Sequence, residues 1–379
     1  MKFIHIGDLH IGKVVHEYSM LEDQKHALNS LLELIKEEEP NGLIIAGDLY
    51  DRSVPPSDAV EVLSDFFTSV LKETNTKIFT IAGNHDSSER LSFLQKILED
   101  KGLYIEGSFK GEVKCIPCTN GNESIYIYLL PYTDPAQARK LYKDPSIKSH
   151  EDALSRILKD VEVNSPSIIV SHAYVGTSQM ESSDSERPLS IGAAEIVNPK
   201  IFEKFSYTAL GHLHKAQRVG SDTIRYSGSL LKYSVSEANH KKQVTIVNID
   251  NYGNVDTQLR ELSILRDLRI KRGYLNEIIT PGNYEGENLS DYVFVELLDE
   301  GELVDPIGTL RGVYSNVLGL RKVISTKDEV ELNDYKSYRE KGIRELFVDF
   351  YLEFNDEFNE DRKESLEKYI DNTLEEVIR

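Results

Sequence analysis

Along the first hundred residues the apolar positions follow two alternating patterns. Phe3 to Gly7, Gly42 to Ala46 and Lys77 to Ala82 are short, nearly continuous apolar runs, which predict strands buried on both faces. Between them, apolar residues recur at helical spacing from Met20 to Glu39, in a stretch that opens after Pro55-Pro56, and near Ser88 to Asp100. Further strand runs follow with less helix between them: Ile125 to Leu130, Ser167 to Ser171, Tyr207 to Gly211, Thr223 to Tyr226 and Gln243 to Ile249. The fold class this predicts is α/β, specifically a two-sheet α/β sandwich rather than a single doubly wound layer.

The pattern changes near Ser263 to Arg272. A turn at Thr280-Pro281-Gly282-Asn283, a strand over Tyr292 to Leu297, a helical stretch from Asp305 to Val313 and a closing strand near Leu318 to Ile324 predict a small α+β unit. Thr326 to Asp334 is polar and is expected to be a linker. Beyond it Ile343, Leu346, Phe347, Phe350, Tyr351, Phe354 and Phe358 form one apolar helical stripe, and Leu366, Ile370, Leu374 and Val377 repeat the spacing. The expected division is residues 1–262, 263–325 and 326–379.

Composition narrows the class. The chain has 379 residues, 40% of them hydrophobic, as in globular proteins with ordinary cores. No apolar run approaches the roughly 20 residues that span a bilayer, and the N-terminus lacks the pattern of a secretory signal. Cys115 and Cys118 are the only cysteines, too few for a disulfide framework, and a Cys-x-x-Cys pair supplies only half of a zinc site. A reducing cytoplasm fits these features. The net charge of −20 argues against unaided tight binding to duplex DNA. Lys13, Arg52, Arg90, Lys215 and Arg218 nevertheless cluster beside the blocks described next, and bound cations or a cationic partner would offset the rest.

Five blocks carry candidate chemistry, each at the end of an expected strand: Gly7-Asp8-Leu9-His10, Gly47-Asp48-Leu49-Tyr50-Asp51-Arg52, Gly83-Asn84-His85-Asp86, Ser171-His172 and Gly211-His212-Leu213-His214. Strand ends are where α/β sheets place their sites. Asp8 and His10 are two apart, as are His212 and His214, so in extended chain each pair points the same way. The glycines allow neighbouring loops to approach closely. Carboxylate, imidazole and one amide, without thiolate, suit Mn²⁺, Fe²⁺ or Zn²⁺ at catalytic positions. A carboxylate can bridge two ions that activate water and stabilise the phosphorus transition state, with no covalent nucleophile. Taken singly, each block has an ordinary reading as a surface turn or a packed histidine. All five in order, each after a strand, point to a two-metal phosphoesterase. His5, His16, His26, His150 and His240 match none of the blocks and are expected in packing or at the surface.

These blocks resemble the calcineurin-like metallophosphoesterase superfamily, whose pattern is D-x-H, G-D-x-x-D-R, G-N-H-[DE], H and G-H-x-H. The resemblance implies one metal held by Asp8, His10, Asp48 and His214, and a second held by Asp48, Asn84, His172 and His212. Asp48 would be the bridge. It further implies that His85 contacts the scissile phosphate and protonates the leaving oxygen, that Asp51 pairs with His85 to orient it, and that Arg52 holds a phosphate oxygen. Purple acid phosphatases fit less well, since they place a Tyr ligand where this chain has Asp51.

Over nearly its whole length the chain also resembles the SbcD family, the nuclease subunits of bacterial SbcCD complexes. The similarity rests on Phe3 to Lys13, the run Gly47 to Pro56, Ser190-Ile191-Gly192, Ala209 to Gln217 and Arg225 to Ser229. Leu230 departs from it, standing where a Pro commonly follows Gly-Ser. The resemblance implies a phosphoesterase domain, a small capping domain that directs DNA to the metals, and a helical tail that docks on an SbcC-type coiled-coil ATPase. It further implies two divalent ions, foremost Mn²⁺, and a homodimer within a heterotetramer. The implied activities are double-strand 3'-5' exonuclease and single-strand or hairpin endonuclease, in DNA end processing, replication and recombination. Hydrolysis of small phosphodiesters and a non-catalytic role bridging DNA ends remain as alternatives.

Overall fold

The computed structural model describes residues 1–176, 180–186 and 195–323. The linker, the helical tail and Ser190-Ile191-Gly192 lie outside the described residues. The chain opens with β1 (Lys2–Ile6), a small hairpin of β2 (Val14–Val15) and β3 (Tyr18–Ser19), and α1 (Leu21–Glu38). Pro40 disfavours helical geometry in the residue before it, and the helix closes with Glu39 in the left-handed region, its N–H bonded to the Ile35 carbonyl. β4 (Gly42–Ile45) follows, then α2 (Ser57–Glu73), which starts directly after Pro55-Pro56, and β5 (Lys77–Ile81).

The stretch expected as one helix near Ser88 to Asp100 is two short pieces, α3 (Ser88–Leu91) and α4 (Gln95–Glu99). The Ser92 hydroxyl bonds the Ser88 carbonyl at 2.7 Å, and Leu94 then turns left-handed, φ 60°. Next come β6 (Leu103–Glu106), β7 (Lys114–Asn120), β8 (Glu123–Leu130), α5 (Pro135–Tyr142), α6 (His150–Lys159) and β9 (Ser167–His172). The strands β6 and β7 and both helices go beyond the sequence reading. For α6 a signal was present: Ser149 and Asp152 form a reciprocal capping box. β10 (Tyr207–Gly211), β11 (Gln217–Val219), β12 (Ser221–Tyr226), β13 (Val244–Ile249) and β14 (Val255–Arg260) complete the two large sheets.

Those sheets have six strands each, in the orders β14-β13-β1-β4-β5-β6 and β11-β12-β10-β9-β8-β7. β1, β4 and β5 run parallel in the first, and β8, β9 and β10 run parallel in the second. Alternate residues of the continuous apolar runs face different layers. Ile4, Ile6, Leu43 and Ile45 pack against α1 and α2. Phe3, Ile44 and Phe79 meet Ile127, Ile168, Val170 and Tyr207 of the opposite sheet. Ile169 and Leu210 face outward onto Leu154, Ile157 and Leu158 of α6. The result is the expected two-sheet α/β sandwich, helices outermost.

A third sheet, β15-β16-β17, comprises β15 (Leu268–Gly273), β16 (Tyr292–Leu297) and β17 (Asn316–Lys322), with the one-turn helices α7 (Leu275–Ile278) and α8 (Pro306–Arg311). Contacts divide the chain into two units, Met1–Glu296 with Val304–Leu320, and Leu297–Leu303 with Arg321–Arg379. Within the second, Val323 donates its N–H to the Leu297 carbonyl at 2.8 Å. Within the first, Asp23 of α1 accepts two bonds from Arg266, at 2.9 and 2.8 Å, and one from the Tyr292 hydroxyl at 2.8 Å. Its neighbour Gln24 donates to the Leu9 and His10 carbonyls.

His5 is buried between the large sheets, 3.0 Å from the Tyr207 hydroxyl and 3.2 Å from the Leu210 carbonyl. Burial pushes its imidazole from 6.5 down to about 3, against the opposing Leu210 bond. A lowered folded-state value means that the unfolded chain takes up the proton first. The stability it contributes is therefore whole above pH 6.5 and lost as pH falls towards 3, by up to ~1.4 kcal/mol per pH unit. Urea titrations at pH 7 and pH 5 should show a smaller loss for His5→Gln than for the parent chain; equal losses would contradict this assignment.

Candidate metal centre

The five strands that carry the blocks are β1, β4 and β5 of one sheet and β9 and β10 of the other. All deliver their blocks at their C-terminal ends. Two glycines make the convergence possible. A methyl group on Gly211 would lie 1.8 Å from the Ala46 carbonyl oxygen, and one on Gly83 would lie 2.1 Å from Asp48 Oδ1. Only a hydrogen fits at either place.

The Asp-x-His and His-x-His pairs are not aligned by extended chain, as their spacing suggests. Asp8, His10 and Asp48 have φ near 54°, 45° and 51°, and His212 has φ 111°. Four non-glycine residues in the left-handed region cost about 1–3 kcal/mol each, and such strain concentrates at functional sites. The backbone is fixed by bonds between loops: Asp8 N–H to the Gly47 carbonyl at 3.1 Å, His10 N–H to the Asp48 carbonyl at 2.9 Å, and His212 N–H to Asp8 Oδ1 at 2.8 Å.

Among the described residues, three groups of potential ligand atoms lie within 4.8 Å of one another: Asp8, His10 and His214; Asp8, Asp48 and His172; and His10, Asp51 and His85. His10 Nε2 and His214 Nε2 are 3.1 Å apart. Two nitrogens bound to one ion at ~2.1 Å would be separated by roughly 3.0–3.4 Å. Asp48 Oδ2 lies 3.6 Å from His10 Nε2 and 3.5 Å from His172 Nε2, between the two groups. Asn84 Oδ1 is 2.9 Å from His172 Nε2, and the Nδ1 of the same ring bonds the Ala46 carbonyl. His212 joins none of the three groups; its ring packs edge-on against His172 with centroids 5.5 Å apart.

His85 is tied to Asp51 through the main chain: its Nδ1 lies 2.9 Å from the Asp51 carbonyl oxygen. The Asp51 carboxylate instead meets Lys13 Nζ at 2.8 Å, and Arg52 Nε is 3.6 Å away. His85 thus meets the main chain of Asp51, while the Asp51 carboxylate serves the lysine. Arg52, in this loose pair with Asp51, is largely exposed.

Burial is the dominant electrostatic influence. It lowers the imidazoles of His10, His172, His212 and His214, and it raises the Asp8 carboxyl, which Asp48 raises further. Asp8 Oδ2 and His10 Nδ1 are buried without a hydrogen-bond partner. Unpartnered buried acceptors beside neutral imidazole lone pairs and paired carboxylates are what a cation would satisfy. The donor set fits divalent ions held by oxygen and nitrogen. Cys115 and Cys118 take no part. Three apart on β7, they face opposite ways, one exposed and one buried.

Several supporting residues escaped the sequence reading. Asp86 accepts bonds from the N–H groups of Leu49, Tyr50 and Gly83, clamping two blocks together. Burial, helped by Asp48, pushes it up to about 7. It stands inside the fourth-position pattern of its block, which was the available signal. Gln24, Tyr233, Glu186 and Glu237 lie outside all five blocks, and nothing local marks them.

Residues 1–216 match the family model for calcineurin-like phosphoesterases. Residues 264–354 match the SbcD-type model described as the type 5 capsule protein repressor C-terminal domain. Among solved structures, a Thermus thermophilus protein overlaps 68% of this chain and 98% of its own, with 12% identity and a TM-score of 0.37. A dimetal phosphatase from Danio rerio overlaps 69% and 99%, with 13% identity and a TM-score of 0.38.

If cations complete the buried cluster, their binding stabilises the fold by mass action, about 2.7 kcal/mol at a hundredfold excess over Kd. Thermal melts should therefore shift upward by several degrees with Mn²⁺ and return with a chelator. A melting temperature indifferent to both would count against a metal centre.

Proposed function

The chain belongs to the calcineurin-like phosphoesterase family, and on that premise we propose that it is a metal-dependent DNA nuclease, the catalytic subunit of an SbcCD-type complex. The observation that carries the reading is the position of Asp48 Oδ2 between His10 Nε2 and His172 Nε2. In this reading Asp8, His10, Asp48 and His214 hold one ion, foremost Mn²⁺, and Asp48, Asn84, His172 and His212 hold the other. The chemistry such ions supply when bound is Lewis-acid activation of water and neutralisation of phosphate charge.

The chain's own residues do the rest. The Nδ1 of His85 is committed to the Asp51 carbonyl, which leaves Nε2 as the atom that delivers a proton to the leaving oxygen. Asp51 holds this loop both through that carbonyl and through its Lys13 ion pair. Arg52, exposed beside it, reaches a non-bridging phosphate oxygen. Substrate distinguishes a nuclease from a small-ester phosphodiesterase. The match of residues 264–354 to an SbcD-type domain favours the polymer. We divide the chain into a nuclease domain at 1–262, a capping domain at 263–325 and a partner-binding tail at 326–379, acting in the cytoplasm with a coiled-coil ATPase. No helix among the described residues is long and apolar enough to cross a membrane.

Purified protein with Mn²⁺ should cleave linear or hairpin DNA, more strongly with the ATPase added. His85→Ala should keep ion and DNA binding while losing about 10²–10⁴-fold in cleavage rate. Activity confined to a chromogenic small phosphodiester would redirect the reading to small substrates. Full activity in His85→Ala would remove the role given to that residue.

A homodimer is part of the same reading. Phe93, Leu94 and Ile97 are 72%, 50% and 62% exposed on the broken α3–α4 segment, an apolar patch that a second copy would cover. Light scattering of the free chain should report a dimer, and Phe93→Glu with Ile97→Glu should report a monomer; a parent chain that is monomeric with and without the ATPase would refute the assembly.

A further inference from the structure

Glu237 and Lys242 lie in the stretch between the two matched segments, 1–216 and 264–354, so neither family model covers them. Resting on the two-ion reading above, we propose that Glu237, braced by Lys242, is a positioning residue. It fixes the tautomer and orientation of His214, so that Nε2 presents its lone pair at the point it shares with His10.

The geometry closes a ring around His214. Glu237 ends a single 3-10 turn, Val235–Glu237, and is fully buried. Its Oε1 lies 3.2 Å from His214 Nδ1. Ser185 Oγ lies 2.7 Å from the same nitrogen and donates its own proton to Glu237 Oε1. Both acceptors therefore call for a proton on Nδ1, which leaves Nε2 unprotonated. Lys242 Nζ meets Glu237 Oε2 at 2.5 Å, the His214 carbonyl at 2.8 Å and Ser229 Oγ at 2.7 Å. One ammonium thus holds both the backbone of His214 and the carboxylate that holds its ring. Glu186 completes the frame by accepting the His214 N–H at 2.7 Å.

Both oxygens of the Glu237 carboxylate are engaged, Oε1 with the His214 ring and Oε2 with Lys242. A carboxylate behind a ligating imidazole aligns the ring and strengthens it as a donor, and losing one typically weakens metal affinity about 10–100-fold. Since His172 has the Ala46 carbonyl behind its own Nδ1, the two histidines are held by different groups, and loss of Glu237 should affect only one ion.

The test is calorimetric titration of Mn²⁺ into the full chain, comparing the parent with Glu237→Gln. A second variant, Glu237→Gln with Lys242→Met, removes the buried charge pair as a unit, so that a folding defect from an orphaned ammonium does not decide the result. Both variants should bind one ion about 10–100-fold more weakly and the other as the parent does. Glu237→Gln should regain the parent kcat at saturating Mn²⁺, with the half-saturating Mn²⁺ concentration raised by the same factor; a merely structural residue would lower kcat at every concentration. Two parent-like binding steps in both variants would overturn the proposal alone. No Mn²⁺ uptake by the parent would overturn the two-ion reading, and this proposal with it.

Discussion

The structure depends on one constraint: carboxylates and imidazoles from four separate loops are buried together, with the half-buried Asn84 and His85 of a fifth loop beside them. Burial and the neighbouring Asp48 raise the Asp8 carboxyl, and burial discourages His10, His172, His212 and His214 from carrying the compensating charge. Such a cluster persists only if the surrounding fold over-determines it, and the fold does. Two six-stranded sheets bring their parallel strand ends to one edge. Asp86 staples two of the loops, and glycines at 83 and 211 remove the last obstacles to approach. The left-handed backbone at Asp8, His10 and Asp48 is the local cost of that arrangement.

Much of this was legible in the sequence, for identifiable reasons. Continuous apolar runs such as Gly42 to Ala46 signal strands covered on both faces, and the layered cores bear that out: Leu43 and Ile45 face the helices while Ile44 faces the other sheet. The five candidate blocks stood out because each keeps its chemistry within a few consecutive residues. What escaped was non-local. Spacing put Asp8 and His10 on one side of an extended chain, yet a strained turn aligns them. The helix near Ser88 is interrupted where Leu94 turns left-handed, which periodicity does not register. Glu237 and Lys242 reach His214 from a loop with no motif of its own; only the fold makes them neighbours.

Charge has a similar lesson. A net −20 spread over the chain runs against the approach of any anionic phosphate ester. Locally the balance differs. The exposed side of the centre carries Lys13 and Arg52 around Asp51, while the acids nearest the imidazoles are buried and directed inward. Cations held at those acids would reverse the sign that a phosphate meets, so whole-chain charge and charge at the site are separate quantities.

Asp23 and Gln24 occupy adjacent positions in the first turn of α1. One grips Arg266, just before β15, and Tyr292 of β16; the other grips the carbonyls of Leu9 and His10, in the loop that carries Asp8 and His10. Two consecutive side chains of one helical turn therefore serve both neighbours, so a substitution that shifts α1 there disturbs the Asp8–His10 loop and the Arg266–Tyr292 contact together.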